Sequence, residues 1–392
     1  MSNPQIHASV LNFLIDHGYM ESVEAFKREA RQHLDSASGD DQLAYDLSQL
    51  HLERSNELLE GDNDYFNQLN ADYPLIHDTN ILAVAFEPHT RVLATSSVDK
   101  SVKISTMLAS QDLYPKTYRH HQAPVLSIAF HPTCSGLMMT TSMDGTVALV
   151  NTDHEPEFGA DTEKEGLHQH FKDHQKYVVQ GLFSLEDGHY MATASYDRTV
   201  CLYQSDRSTL PNYTMIKRLG PFIGNVETIC FMKNQLVVGV RDDNYLHYTH
   251  LDSLASYRVN MNATGDDWVS FSPVCLSANH GLLLCTTDHA SGRTILFKAG
   301  SDKQVQNYYI FPNDNTFITR KHVWHPSGRY FYAIGSNEHD IAVVEVKTGQ
   351  IVNTLKGHQG MVRCLDAYHQ GLFSAGYDHT VKQWSKQETV AR

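Results

Sequence analysis

Cysteine is scarce in this sequence. Cys134, Cys201, Cys230, Cys275, Cys285 and Cys364 are scattered over 392 positions, and no two form a C-x-x-C pair. Most sit inside apolar runs, the setting of reduced core thiols in a reducing compartment. No apolar run approaches the ~20 residues that span a bilayer. The start "MSNPQIHASV" lacks the basic region and apolar stretch of a secretory signal. A cytoplasmic or nuclear location without membrane contact is the expectation. Positive charge is short as well: Lys and Arg number 31 against 45 Asp and Glu, a formal net charge of -14. General binding to a phosphate backbone needs clustered basic side chains. No direct nucleic-acid partner is therefore expected, though a local basic patch stays open.

Catalytic signatures are missing too. The chain has no G-x-S-x-G, no phosphate-binding glycine loop and no H-E-x-x-H. The runs "SMDGTVAL" and "SYDRTVCL" are not the Asp boxes of sialidase-type propellers. Among 24 histidines, His168, His170 and His174 cluster in "LHQHFKDH". Only His170 and His174 have helical zinc spacing, and the segment reads as a strand and a turn, so no metal or cofactor is expected.

What the chain does have is repetition. "HDTNILAVAFEPHTRVLATSSVDKSVKIS" begins at His77, "HHQAPVLSIAFHPTCSGLMMTTSMDGTVALVNTD" at His120 and "DHQKYVVQGLFSLEDGHYMATASYDRTVCLYQSD" at Asp173. "HQGMVRCLDAYHQGLFSAGYDHTVKQW" begins at His358. Each has a His, an alternating strand, a turn, an Ala/Ser/Thr-rich strand, an Asp turn and a β-branched strand. Weaker copies begin at Gly224, Trp268 and Phe317. Seven units at a period of ~40–45 residues predict a mainly β, seven-bladed β-propeller.

These units resemble WD40 repeats. In that family a His, a Ser or Thr, an Asp and a Trp form a hydrogen-bonded chain within a blade. The resemblance assigns that structural tetrad to His358, Ser374, Asp378 and Trp384, with the His ring donating both to the Asp and on to the hydroxyl. His121, Thr140 and Asp144 match three positions, with Val150 in place of the Trp. His174, Thr193 and Asp197 match with Tyr203 there. Units four to six show no tetrad. The segment 67–76 stands where an outer strand belongs but has no blade of its own, so it is expected to close the ring on the last blade within a propeller at 63–387.

The N-terminus follows another periodicity. In "QIHASVLNFLIDHGYMESVEAFKREA", Ile6, Val10, Phe13 and Leu14 recur at helical spacing, then Val23 and Phe26 after a Gly18–Tyr19 turn. Two helices of about ten residues cannot bury these side chains alone. The segment 4–32 resembles the LisH motif, a helical hairpin that dimerises in its family. The resemblance assigns dimerisation to Ile6, Val10, Phe13, Leu14, Tyr19 and Phe26. A pair of helices packed on the propeller is the alternative. Residues 33–62 form a linker with a short amphipathic helix around Leu43, Leu47 and Leu50.

LisH–WD40 proteins as a class are scaffolds. The resemblance implies a non-enzymatic adaptor, a homodimer that binds proteins or peptides on a propeller face. A substrate-receptor or scaffold subunit of a ubiquitin ligase is one alternative, and a propeller enzyme with a pore active site is another. In WD40 propellers the residue before each turn Asp points out at the rim of the central channel. The matching residues are Val98, Met143, Tyr196 and Tyr377, joined by Arg241 in "VRDDN", and they form the expected partner-binding set. Apolar and aromatic residues are unusual at such turns. The acidic segment 153–166 reads either as a solvated loop or as a docking strip for a basic partner.

Overall fold

The computed structural model describes residues 64–74, 76–107, 115–153, 165–315, 318–334 and 339–387. The hairpin expected at 4–32 and the linker at 33–62 lie outside the described residues, as does the acidic segment apart from its ends.

A first strand, β1 (Gln68–Tyr73), precedes the blades. Blade 1 is β2 (Ile81–Glu87), β3 (Val92–Ser97), β4 (Val102–Thr106) and β5 (Lys116–Tyr118). Blade 2 is β6 (Val125–Phe130), β7 (Leu137–Ser142), β8 (Val147–Asn151) and β9 (Leu167–Phe171). Blade 3 is β10 (Val178–Phe183), β11 (Tyr190–Ser195), β12 (Val200–Ser205) and β13 (Tyr213–Leu219). Blade 4 is β14 (Val226–Met232), β15 (Gln235–Val240), β16 (Tyr245–His250) and β17 (Ser256–Asn260). Blade 5 is β18 (Pro273–Asn279), β19 (Leu282–Thr287), β20 (Arg293–Lys298) and β21 (Gln304–Tyr309). Blade 6 is β22 (His322–Trp324), β23 (Tyr330–Ile334), β24 (Ile341–Glu345) and β25 (Ile351–Leu355). Blade 7 is β26 (Val362–Tyr368), β27 (Gly371–Gly376) and β28 (Val381–Ser385), with β1 as its outer strand. The protein is a seven-bladed β-propeller.

The middle strands explain the architecture. β3, β7, β11, β19 and β27 are almost wholly buried and carry small or β-branched residues, such as "MATAS" and "LFSAG". Small side chains let successive sheets approach face to face, and each hydrophobic cluster spans neighbouring blades. The inner strands β2, β6, β10, β14, β18, β22 and β26 are neighbours in sequence around a closed ring, with β2 against β26.

Ring closure uses residues far apart in the chain. β1 runs antiparallel to β28, from Gln68 opposite Ser385 to Tyr73 opposite Val381. Just before it, Tyr65 and Phe66 are buried against blade 6. The Phe66 N–H donates to the Tyr332 hydroxyl at 2.8 Å, and Lys386 pairs with Asp64 at 3.0 Å. A ring closed in this way leaves no long unpaired edge on blade 7.

The weaker units have shifted boundaries. Blade 5 begins its inner strand at Pro273, and Trp268, read as that unit's start, is 80% exposed on the connecting loop. The sequence misleads there because an isolated Trp before "VSFSP" looks like the start of a strand.

Candidate functional site: the mouth of the central channel

The turn between the second and third strands of a blade sets the rim. In four blades an Asp follows the rim residue and accepts bonds from the next Ser or Thr: Asp99 from Ser101, Asp144 from Thr146, Asp197 from Thr199 and Asp378 from Thr380. The residue after the Asp is left-handed, with φ of 69° at Lys100 and Arg198, 62° at His379 and 86° at Gly145. Only blade 2 supplies the glycine that this backbone favours, so the other turns are held by the carboxylate bonds.

The same Asp anchors the tetrad. In blade 7, His358 Nδ1 lies 2.8 Å from Asp378 and Nε2 lies 2.7 Å from Ser374 Oγ. The Trp384 indole N–H donates to Ser374 Oγ at 2.8 Å. A neutral imidazole that donates from Nδ1 must accept at Nε2. With the ring neutral, the chain of donors runs from Trp384 to Ser374, His358 and Asp378. Burial pushes the Asp378 carboxyl up, but bonds from His358 and the N–H groups of Gln359 and Thr380 outweigh it. The carboxyl stays well below the usual range. Blade 3 holds the equivalent bonds at 2.9 Å for His174 to both Asp197 and Thr193. There the Tyr203 hydroxyl turns instead to Asp173, at 2.9 Å. In blade 2, His121 binds Thr140 at 2.8 Å and Thr146 at 2.7 Å, with Asp144 3.6 Å away.

Blade 5 has no His of its own for this task. His322, from the inner strand of blade 6, binds Thr286 and Ser277 of blade 5, each at 2.6 Å. Burial lowers its pKa to about 3. Sequence reading missed this inter-blade bond because the partners are 36 and 45 residues away.

The five expected partner-binding residues occupy one equivalent position. Each donates its backbone N–H to the residue just before an inner strand. Val98 donates to Asn80 at 3.1 Å, Met143 to Pro124 at 3.0 Å and Tyr196 to Tyr177 at 3.0 Å, while Arg241 donates to Asn225 and Tyr377 to Met361, both at 2.8 Å. Asp288 holds the same place in blade 5, donating to Ser272 at 3.0 Å.

Of the five, Met143, Tyr196 and Arg241 line one cavity of about 670 Å³ at the channel mouth. Val98, 45% exposed, and Tyr377 are not among its lining residues. Tyr196 does not lie flat on its own blade. Its hydroxyl donates to Glu227 of blade 4 at 3.0 Å, and Arg241 sits 5.5 Å from its ring centre. Arg241 also pairs with Glu227 at 2.6 Å. Burial pushes the Glu227 carboxyl up despite both partners, and burial with the Glu227 charge pushes the Tyr196 phenol up to about 12.

The deeper wall was not legible as a site. Six inner strands carry one extra residue near their start: Leu82, Leu126, Val179, Glu227, Val274 and Arg363 each fall between two register pairs. A bulge of this kind re-aims its side chain. Five of the six, all but Leu82, line the cavity, together with Ile318, Thr319, Arg320 and Lys321 before β22. The available signal was a charged residue, Glu227 or Arg363, in second place on its inner strand.

Elsewhere, His168 Nε2 lies 3.1 Å from the Pro211 carbonyl and His170 meets His121 edge-on, with ring centres 6.3 Å apart. No group of three potential metal ligands occurs among the described residues.

Four segments match the family model of the WD domain, G-beta repeat: residues 75–104, 114–151, 166–204 and 349–385. The chain carries WD40 repeats, and these four correspond to blades 1, 2, 3 and 7. It is 29% identical over 34% of its length to the probable cytosolic iron-sulfur protein assembly protein 1 of Candida glabrata, covering 40% of that protein. It is 24% identical over 79% of its length to transducin beta-like protein 3 of Rattus norvegicus, covering 37% of it. It is 28% identical over 43% of its length to the transcriptional corepressor LEUNIG_HOMOLOG of Arabidopsis thaliana, covering 19% of it. The chain thus spans less than half the length of these curated relatives.

Proposed function

We propose that the protein is a non-enzymatic scaffold that binds partner proteins at the channel mouth and is paired through the LisH-like hairpin at 4–32. The observation that carries the reading is the contact set of Tyr196, Glu227 and Arg241. It crosses from blade 3 to blade 4 and lines an open cavity. Tyr and Arg supply much of the energy of protein interfaces: Tyr brings large area with few lost rotamers, and Arg brings several directed hydrogen bonds from one planar group. Val98 and Tyr377 extend the same face on blades 1 and 7. Neither the chemistry of the rim nor its geometry assembles a nucleophile with a base. Two of the relatives are named for cytosolic iron-sulfur protein assembly and transcriptional corepression, which accords with a cytoplasmic or nuclear interaction role.

Affinity purification of the full chain with mass spectrometry identifies the partner. Tyr196→Ala should then weaken its binding by about 2 kcal/mol, with a smaller loss for Tyr377→Ala. Unchanged binding by a folded Tyr196→Ala variant overturns the site. Pairing is tested by light scattering, where the 44.3 kDa chain should run as a dimer and Phe13→Asp as a monomer with an intact propeller. A wild-type monomer at micromolar concentration overturns that part.

A further inference from the structure

The charges inside the channel mouth are unevenly partnered. Glu227 is taken by Arg241 and Tyr196, Asp288 accepts the Ser272 N–H at 2.6 Å, and Asp242 is the third carboxylate on the lining. On the opposite wall stand three more cations, Arg320, Lys321 and Arg363. Arg320 donates to the Asn313 carbonyl at 2.8 Å. Arg363 donates to the Thr319 hydroxyl at 3.0 Å, and its Nε is buried without a partner. Among the described residues no carboxylate forms an ion pair with any of the three. Asp288 acts on Arg320 only from beyond that distance. The groups that face Lys321 are Arg363 and the thiols of Cys275 and Cys364.

This arrangement is costly. Burial and the neighbouring Arg363 hold the Lys321 ammonium below the usual lysine range. Leu126, Val179, Val274 and Ile318 add apolar patches to the wall, which weaken solvent screening at the charges beside them. An anion entering the cavity would meet Lys321, which burial holds below its usual range, and Arg363, whose Nε has no partner. The chain's own acidic segment at 153–166 connects β8 to β9, whose joined ends lie opposite the rim turn between β7 and β8.

We propose that Arg320, Lys321 and Arg363 receive a carboxylate side chain from an acidic segment of the partner protein. This rests on the reading of the channel mouth as the partner face. It gives that partner a chemistry: one or more Asp or Glu residues, flanked by apolar side chains that fit the wall. A chain of net charge -14 thereby keeps one inward-facing basic site for an acidic ligand.

The test is fluorescence anisotropy on the full chain with a fluorescein-labelled glutamate-rich peptide and its glutamine counterpart. The glutamate peptide should bind and the glutamine peptide should not. Lys321→Met should weaken binding at least about tenfold, as truncating one side of a desolvated charge pair does. Its melting temperature should hold or rise, because methionine fills similar space without a buried charge. Arg363→Gln is the second variant and should also weaken binding. Equal binding of the two peptides, or undiminished binding by a folded Lys321→Met, overturns the proposal. A phosphoserine peptide that binds where the glutamate peptide fails overturns the carboxylate assignment. If these peptides fail while Tyr196→Ala still releases the purified partner, the scaffold reading stands and this inference alone falls.

Discussion

The carboxylate of Asp366, on β26, accepts the backbone N–H of Phe86, on β2, at 2.7 Å. The two residues are 280 positions apart and join the last blade to the first. The ring is thus sealed twice, by β1 on the outside and by this bond near the channel. Burial pushes the Asp366 carboxyl up to about 6, against the pull of the N–H groups of Phe86 and Ala367.

A raised carboxyl in the folded state makes the ionised form a liability. Stability is unaffected by this group below the unfolded value of about 3.9, and falls as pH rises from there through about 6. Asp366→Asn keeps an oxygen for the Phe86 N–H and removes the charge. It should stabilise the propeller at pH 7 by on the order of 2 kcal/mol, and the gain should vanish near pH 4. Urea unfolding at both pH values checks this. A pH-independent difference would rule the account out.

The outer seal gives a second prediction. Removal of residues 1–60 leaves Asp64, Tyr65, Phe66 and β1 in place, so the propeller should remain soluble and melt normally. Removal of residues 1–80 strips β1 from β28, exposes the buried Trp384 edge and deletes His77, which binds Thr95 at 3.0 Å. That form should melt lower and aggregate through the open edge. Equal melting temperatures for both forms would contradict the role given to β1.

The fold was largely legible because it repeats. The sequence places an outer strand at 67–76, and the structure has one at Gln68–Tyr73. The turn Asp, the tetrad His and the small-residue strand appear together in blades 1, 2, 3 and 7, the same four that match the repeat model. In blades 4 to 6 the polar bonds are made by other means, as with His322, so the signature fades while the sheet persists. The rim residues could be found because a turn holds them at a fixed offset from an Asp. The wall residues could not, because a bulge is one extra residue in a strand and leaves strand composition unchanged. Lys321 precedes a three-residue strand and looks like an ordinary loop lysine.

The tetrad yields a comparison between blades. Ser374→Ala strands both the Trp384 indole N–H and His358 Nε2. Thr140→Ala in blade 2 strands only His121 Nε2, since Val150 stands where the indole would be. Each buried group left without a partner costs about 1–3 kcal/mol. Ser374→Ala should therefore destabilise by about 2–6 kcal/mol and Thr140→Ala by about half as much, read from chemical denaturation of each variant. A smaller loss for Ser374→Ala than for Thr140→Ala would mean that the indole bond contributes nothing.

Arg241 needs its structural share separated from any part in binding. It is 47% exposed in its pair with Glu227, so water screens the attraction and its loss should cost no more than about 1 kcal/mol. The cost should depend on pH. Burial already raises the Glu227 carboxyl, and Arg241, with Tyr196, opposes that rise. In Arg241→Ala the carboxyl rises further, so stability should fall more steeply as pH climbs above the unfolded value of about 4.3. Below that value wild type and variant should converge. Adding Glu227→Gln to Arg241→Ala removes the charge that Arg241 compensates, so the double variant should recover most of the loss at pH 7. A double-mutant cycle at pH 4 and pH 7 reads the coupling directly. No coupling at either value, with an Arg241→Ala loss that does not change with pH, would show that Arg241 supports the rim by packing against Tyr196 rather than by charge. If the double variant is stable yet still fails to hold the partner, Arg241 or Glu227 contributes to binding apart from stability.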